Sequence, residues 1–497
     1  RMEVGGGQNE YALMGFFGRL NYDYKGKYLV EASGRYDGTS RFKRGQRWGF
    51  FPSFSAAYRI SEEAFFEPLR KTVDNLKIRL SYGSLGNQQI GYYDFIQTIT
   101  TKGSMGDYSF DGTILGQHAT VSDPVSGNQT WEKVISKNLG ADLNMFSNRL
   151  SLTADFYIRD TKGILGKGKS LPSIYGANEP QVNSNNLRTK GYELVLGWRD
   201  SFKLAGSTFS YGITGTFSDY TAEYTKCDNP SGLIGDPYVG KKYGEIWGYK
   251  VDGLFRNDEE AAEYASRVDL SKVAAGYYSA TGAYGKGVRG GDIKYLDLDG
   301  SGIVDGGKGT LEDPGDRRVI GNSSPRYQYG LTLNLSWYGF DLSVFMQGIG
   351  RLDWYPGADN LRFWGPYSRP YATFIPKNFM SQVWSESNPD AYLPRARAYT
   401  SLNSTQGTAY YTNDRYLQNL AYCRLKNLTL GYTIPKRLTS KVGIKECRVY
   451  FSGENLATWS ALKNDFLDPE QAAADSDKKS NVYPWCRTYS VGLNLTF

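Results

Sequence analysis

The chain has 497 residues, of which 40% are hydrophobic and 15% aromatic, and 58 basic against 51 acidic residues give a net charge of +7. The charges are scattered without a basic run, so a nucleic-acid partner is not expected. No segment approaches about 18 consecutive apolar residues, which argues against a membrane-spanning helix. A chain of low hydropathy that holds 40 Tyr and 58 Gly predicts an all-β protein whose strands face two different solvents.

Hydrophobicity repeats every second residue along most of the chain. In the last segment, Val491, Leu493 and Leu495 share one face, while Ser490 and Asn494 share the other. The same alternation predicts strands near residues 11–24, 28–38, 50–61, 76–86, 134–146, 150–160, 189–200, 207–224, 326–337, 340–350, 421–434, 447–459 and 488–497.

The connections between these strands alternate between short and long. The longest lie near residues 87–133, 225–325, 351–420 and 460–487. Strands of about ten residues exceed the usual length of about five or six in globular proteins. A soluble sandwich or propeller would not need this alternation, so the pattern favours a transmembrane antiparallel β-barrel with its long loops on one rim.

Several stretches resemble one family, the SusC/RagA-like TonB-dependent outer-membrane transporters of Bacteroidota. They occur in order along nearly the whole chain, at residues 34–42, 48–58, 76–87, 131–133, 149–157, 186–193, 291–295, 319–322, 339–345 and 453–456 and at the terminal Phe497. The resemblance implies a barrel of about 22 strands around an N-terminal plug. Residues 1–497 are then expected to form about 13 C-terminal strands of that barrel, with long extracellular loops.

The resemblance also implies a location and a set of partners. We expect the bacterial outer membrane, and active import of an oligosaccharide or oligopeptide together with a SusD-like surface lipoprotein that acts as a lid. TonB would act through the plug, and an N-terminal piece of the same barrel would complete the wall in the lipid bilayer. One alternative is a siderophore or cobalamin receptor, which lacks such a lid. Another is a soluble calcium-dependent carbohydrate-binding β protein.

A short acidic segment resembles the first part of an EF-hand loop. Asp297, Asp299 and Ser301 fall at the ligand positions 1, 3 and 5, the Ile303 carbonyl at 7 and Asp305 at 9. Gly302 provides the turn, but Lys308 stands where a bidentate Glu is expected. Asp313 or Asp316 is a candidate for the missing ligand. The segment predicts a structural Ca²⁺ site, and a solvated Asp/Gly turn remains the alternative.

The loop 351–420 is rich in aromatic residues, and we predict that it contacts the substrate or the lid. Aromatic rings stack on sugar rings and also suit peptides. Packing of the loop on itself is the alternative. The candidates are Trp354, Phe363, Trp364, Tyr367 and Tyr371.

Catalysis has little support in the sequence. The single histidine, His118, has no partner visible in sequence, and no carboxylate pair stands in a recognisable constellation. We therefore do not expect an enzyme.

Overall fold

The structure is a computed structural model. It describes residues 6–102, 109–110, 113–114, 118–169, 171–278, 287–369, 371, 373, 375–397, 401–402, 407–464, 466–472 and 485–497.

Strands dominate the described residues. In chain order they are β1 (Leu13–Tyr24), β2 (Tyr28–Thr39), β3 (Trp48–Arg59), β4 (Val73–Asn87), β5 (Ile99–Lys102), β6 (Ser109–Phe110), β7 (Thr113–Ile114), β8 (His118–Val121), β9 (Glu132–Met145), β10 (Leu150–Lys167), β11 (Gln181–Leu204), β12 (Ser207–Lys226), β13 (Glu245–Tyr249), β14 (Val251–Leu254), β15 (Ile293–Tyr295), β16 (Arg317–Asn322), β17 (Arg326–Trp337), β18 (Phe340–Arg351), β19 (Asp353–Trp354), β20 (Gln418–Asn419), β21 (Tyr422–Thr433), β22 (Glu446–Ser460) and β23 (Thr488–Thr496).

The helices are short and lie in the connections. The α-helices are α1 (Asp258–Arg267), α2 (Ala275–Tyr278), α3 (Leu361–Trp364) and α4 (Lys436–Thr439). Short 3₁₀ segments span Ile60–Glu62, Ala64–Leu69, Ser173–Tyr175, Gly365–Tyr367, Met380–Gln382 and Ser440–Val442. Among the described residues, no helix combines the length and the apolar character needed to cross a membrane.

The long strands form one 13-stranded antiparallel sheet, which we call the wall. Its hydrogen-bonding order follows the chain: β1-β2-β3-β4-β9-β10-β11-β12-β17-β18-β21-β22-β23. The all-β class and the predicted strands are thereby confirmed. Some strands are longer than predicted: β11 has 24 residues, whereas about 9–11 suffice to cross a membrane.

The wall has an apolar face and a polar face, as the two-residue period predicted. Across β17 and β18, Leu333 pairs with Val344, and their neighbours Asn334 and Ser343 pair on the opposite face. A one-residue shift would exchange these faces, so the hydrophobic pattern specifies the register.

Ion pairs connect strands along the polar face. In β4, the Arg79 guanidinium donates to Asp142 of β9 at 3.0 Å and to Asp155 of β10 at 2.9 Å. Asp142 also accepts from the Lys77 ammonium at 2.8 Å. Cations of β4 thus pair with carboxylates of the two following strands, an arrangement that suits an aqueous lumen.

The chain divides into two compact units. One comprises residues 1–194, 220–230 and 237–242, and the other residues 195–219, 231–236 and 243–497. The first unit has a small core of Phe42, Phe51 and Trp131. The second unit has a much larger core, which lies outside the wall strands and almost entirely in the loops 225–325 and 351–420.

Candidate functional site

The loops 225–325 and 351–420 share one hydrophobic core, which we call the loop cluster. Phe255 and Ile293 come from the first loop, and Trp364 and Tyr416 from the second; all four are fully buried. The rings of Trp364 and Tyr416 meet edge to face, with centroids 5.0 Å apart. Edge-to-face contacts of this kind add stability beyond the burial of apolar area. The long loops therefore form a packed structure of their own.

A cap and two hydrogen bonds fix the aromatic segment of the second loop. The buried Asn360 side chain accepts from the Phe363 backbone N at 3.0 Å and so caps α3. The Trp364 indole donates to the Pro356 carbonyl at 3.2 Å, and the Tyr367 hydroxyl donates to the Pro394 carbonyl. Buried Trp and Tyr residues normally find such partners for their polar atoms.

The five aromatic candidates have different environments. Phe363, Trp364 and Tyr367 lie inside the loop cluster, so a bound substrate cannot reach these rings in this structure. Trp354 is half-buried in β19, opposite Gln418 of β20. Tyr371 is 77% exposed. Three of the five aromatic residues thus follow the self-packing alternative, and Tyr371 is the candidate that can meet a ligand directly.

A buried ion pair also joins the two loops. The Arg397 guanidinium donates to both carboxylate oxygens of Asp292, at 2.9 and 2.5 Å. Their side chains are only 4% and 1% exposed. Burial raises the pKa of Asp292, and the charge and hydrogen bonds of Arg397 oppose this rise. The guanidinium also lies 4.2 Å from the centroid of the Tyr277 ring. This pair requires both loops to be in place at once.

The acidic segment brings three carboxylates together. Oxygen atoms of Asp297, Asp299 and Asp316 all lie within 4.8 Å of one another. Ca²⁺–O distances are about 2.3–2.6 Å, so ligands on opposite sides of one ion lie about 5 Å apart. Gly302 has φ +79°, a conformation that favours glycine, and this allows the turn between the ligands. The three carboxylates therefore fit a single Ca²⁺ ion.

Asp316 is the member of this cluster that spacing alone could not select. It lies fully buried immediately before β16, and its carboxylate accepts from the backbone N atoms of Leu298 and Asp305 at 2.6 and 2.9 Å. Burial raises the pKa of Asp316, and the nearby charge of Asp299 raises it further. A buried carboxylate beside another carboxylate is an environment that a cation would stabilise.

The other predicted ligands make different contacts. The Ser301 hydroxyl donates to the Ile303 carbonyl at 3.0 Å, so these two groups bind each other. The Asp305 carboxylate accepts from the Gly307 backbone N at 2.7 Å. Asp305 is not among the carboxylates that lie within 4.8 Å of one another.

The beginning of the loop 460–487 is tied to the wall by charge. The buried Arg424 side chain of β21 pairs with Asp468 and, at 2.6 Å, with Glu470. Lys426 adds a second contact to Glu470 at 2.7 Å. A buried guanidinium needs such partners, because an unpaired charge in this environment costs several kcal/mol.

Comparisons with known proteins identify the family of this chain. The family described as "TonB dependent receptor-like, beta-barrel" matches residues 4–456. The chain belongs to this family. Its members are outer-membrane transporters, so the expected location is confirmed and the soluble alternative is wrong.

Two relatives and one solved structure extend the comparison. TonB-dependent receptor P3 of Formosa agariphila is 27% identical over 98% of this chain and 46% of its own length. TonB-dependent receptor SusC of Bacteroides thetaiotaomicron is 24% identical over 98% of this chain and 44% of its own length. The RagAB peptide transporter matches the fold with a TM-score of 0.71 at 22% identity, over 98% of this chain and 48% of that one. The chain thus spans less than half the length of the relatives it matches.

Membership of a TonB-dependent barrel family explains the exposed apolar face of the wall. Val491 of β23 is 79% exposed, and Leu80 and Leu430 are also exposed on the apolar face. In an outer-membrane barrel these side chains contact lipid, and the opposite face, with its ion pairs, faces water.

Proposed function

We propose that this chain is part of a TonB-dependent importer that carries oligosaccharides or oligopeptides across the outer membrane with a SusD-like lipoprotein lid. The match of residues 4–456 to the receptor barrel family carries the proposal. Similarity to a relative named SusC and to a solved structure of a peptide transporter supports the choice among the family's activities. The packed loop cluster with exposed Tyr371 offers a surface for a lid or a ligand.

The transport proposal is tested in cells that lack the full-length gene and in cells that carry it again on a plasmid. Uptake of a fluorescent oligosaccharide and of a fluorescent oligopeptide is measured with and without a protonophore. We expect restored, protonophore-sensitive uptake of one substrate, because TonB-linked transport depends on the energised membrane. Restored uptake of an iron–siderophore complex alone would contradict the proposal and favour the receptor without a lid.

The lid is tested biochemically. The full-length protein is purified in mild detergent and analysed by native mass spectrometry. We expect a lipoprotein of the SusD type in the same complex. A receptor that purifies without such a lipoprotein, although its own barrel is intact, would contradict this part of the proposal.

We also propose that Asp297, Asp299 and Asp316 hold a structural Ca²⁺ ion. Such an ion would neutralise three neighbouring carboxylates and hold the acidic segment next to β16. Calcium titration of the chelator-treated full-length protein tests this by calorimetry. We expect saturable binding that Asp316→Asn and Asp299→Asn each weaken at least tenfold. Asp313→Asn is the matched control, because Asp313 lies nearby but outside the cluster of three. Equal binding by all variants would contradict the site.

A further inference from the structure

We propose that a pocket in the loop cluster binds a carboxylate group of the substrate through Arg317. The inference rests on the proposed transport of oligosaccharides or oligopeptides, and it specifies that the substrate is acidic. The pocket has a volume of about 500 Å³. Its lining includes Trp247, Tyr249, Arg317, Tyr355, Tyr410 and Tyr411. A cavity with several aromatic walls and a single lining cation is typical of a ligand site that selects one charged group.

The guanidinium of Arg317 is only partly satisfied by the protein. Its Nη2 donates to the Gly306 carbonyl at 2.7 Å. Its Nε is buried and has no hydrogen-bond partner among the residues that the structure describes. A buried donor without a partner is unfavourable, so native structures rarely retain one without a role. Its Nη1 also makes no hydrogen bond within the described part of the chain, and Arg317 lines the pocket, so an acceptor oxygen in the pocket can pair with the guanidinium.

Nearby carboxylates do not supply this acceptor. The Asp305 carboxylate accepts from the Gly307 backbone N, and the Asp316 carboxylate accepts from the backbone N atoms of Leu298 and Asp305. Within the described part of the chain, neither carboxylate pairs with Arg317. These carboxylates thus accept hydrogen bonds from nearby backbone N atoms and do not neutralise the Arg317 guanidinium.

Two other arginines of the loop cluster donate to backbone carbonyls and do not line the pocket. Arg318, the next residue, donates to the carbonyls of Gly315 and Arg317 at 2.7 and 2.8 Å. Arg415 donates to the carbonyls of Ala391 and Tyr392. Arg317 therefore differs from Arg318 and Arg415 in that it lines the pocket and has a buried Nε without a partner among the described residues.

The backbone around Gly306 is shaped to hold the Arg317 guanidinium in this position. A Cβ atom added to Gly306 would lie 2.8 Å from Nη2 and 3.0 Å from Cζ of Arg317. Any larger residue would displace the guanidinium, so glycine here allows the group to lie flat against the chain. The position of Arg317 is thus fixed before a ligand arrives, which reduces the entropy lost on binding.

The aromatic walls add a second polar contact and a stacking surface. The Tyr249 hydroxyl has no hydrogen-bond partner among the described residues, and burial raises the pKa of Tyr249 to about 12. The hydroxyl therefore keeps its proton at neutral pH and is available as a donor. The Tyr410 ring is partly exposed and meets the Tyr411 ring edge to face, with centroids 5.5 Å apart. A sugar ring or an apolar side chain next to the carboxylate would find a flat surface here.

The carboxylate can belong to an acidic oligosaccharide or to an acidic oligopeptide, and the test distinguishes the two. The full-length protein is purified with its lid, and binding is measured by calorimetry for two matched pairs of probes. The first pair is trigalacturonate and its methyl ester, and the second is an acidic pentapeptide and its fully amidated form. We expect the wild-type protein to bind the acid of one pair at least tenfold more tightly than its neutral partner. The pair that shows this preference identifies the source.

Variants assign the preference to Arg317. We expect Arg317→Gln to remove the difference between acid and neutral probe, Arg317→Lys to restore part of it, and Tyr249→Phe to reduce it about threefold. Arg318→Gln is the matched control and should leave the preference unchanged, because Arg318 does not line the pocket. The heat-dependent gel mobility of the barrel verifies that each variant is folded.

Several results would overturn the inference. They are equal affinity of the wild-type protein for acid and neutral probes, an acid preference that survives Arg317→Gln in a folded protein, and no binding of any probe. The uptake assay described above remains independent of these results, so an importer that is indifferent to charge would refute the pocket without refuting transport.

Discussion

The wall and the loop cluster use apolar side chains in opposite ways. On the wall, the side chains of Leu430 and Val491 are exposed. In the loop cluster, Trp364 and Phe255 are fully buried. The wall is held by strand pairing, and its apolar side chains suit lipid. The loop cluster has the interior of an ordinary water-soluble domain. A large apolar residue therefore has a different meaning in each region, and substitutions should separate the two.

The largest expected effect comes from truncating a ring in the loop cluster. Trp364→Ala should destabilise the loops by about 3–5 kcal/mol, because the lost ring leaves a cavity and its contact with Tyr416 disappears. Phe156→Ala on the wall is the matched change and should cost below about 1 kcal/mol, since lipid or detergent fills the space of an exposed ring. Hydrogen exchange of loop peptides and denaturant unfolding of the full-length protein measure the two effects. Equal losses would contradict the comparison.

The buried ion pair between Arg397 and Asp292 tests how the loop cluster tolerates buried charge. Arg397→Met should cost about 3–5 kcal/mol of loop stability, because it leaves the Asp292 carboxylate buried without its partner. The double variant Asp292→Leu/Arg397→Met should recover much of this loss, because two apolar residues then replace the pair. Limited proteolysis of the loops in the full-length protein measures both variants. A double variant that is less stable than the single one would contradict this view of the pair.

A charge placed on each face of one wall strand tests the lipid contact. Leu430→Arg should destabilise the barrel, because a charge on the lipid face costs up to about 2–4 kcal/mol, depending on its depth in the bilayer. Thr429→Arg, one residue earlier on the opposite face, should cost much less, because its neighbours Ser343 and Ser452 lie on the polar face. Unfolding of the detergent-solubilised full-length protein, followed by gel mobility, compares the two variants. A larger loss for Thr429→Arg would show that the faces are assigned the wrong way round.

The wall was predictable from sequence because its signal is local. Alternating residues such as Leu333 and Asn334 reveal both the strand and its two faces, and neighbouring strands follow in chain order. The extra length of β11 was not predictable, because it depends on pairing partners beyond the membrane-crossing segment.

The loops were predictable only in part. The acidic spacing indicated Asp297 and Asp299, but Asp316 joins them through the fold, and sequence could not choose it over Asp313. Aromatic content identified the second loop as unusual, yet Trp364 and Tyr371 look alike in sequence although one is buried and the other exposed. Which side of a loop faces inward is decided by contacts with another loop, as between Trp364 and Phe255 in the shared core.

The helix α1 shows a signal that was present in the sequence and was missed. Asn257 precedes three acidic residues and an alanine-rich turn, which is a typical helix start. In the structure, the Asn257 side chain accepts from the Glu260 backbone N at 2.8 Å, and Glu260 in turn accepts from the Arg256 backbone N. This reciprocal pair satisfies backbone donors that the first turn of a helix leaves free.

The smallest expected effect concerns this cap. Asn257→Ala should destabilise α1 by about 1 kcal/mol, because one backbone donor loses its acceptor while the hydrophobic core beneath Ala261 is unchanged. That energy corresponds to about fivefold faster hydrogen exchange in peptides covering 258–267, if the helix opens locally. Glu263→Ala is the control: it removes only an exposed pair with Arg267 and should change exchange less than twofold. If Asn257→Ala instead accelerates exchange throughout the loop cluster, α1 opens together with the shared core, and the cluster behaves as one cooperative unit like a small globular domain.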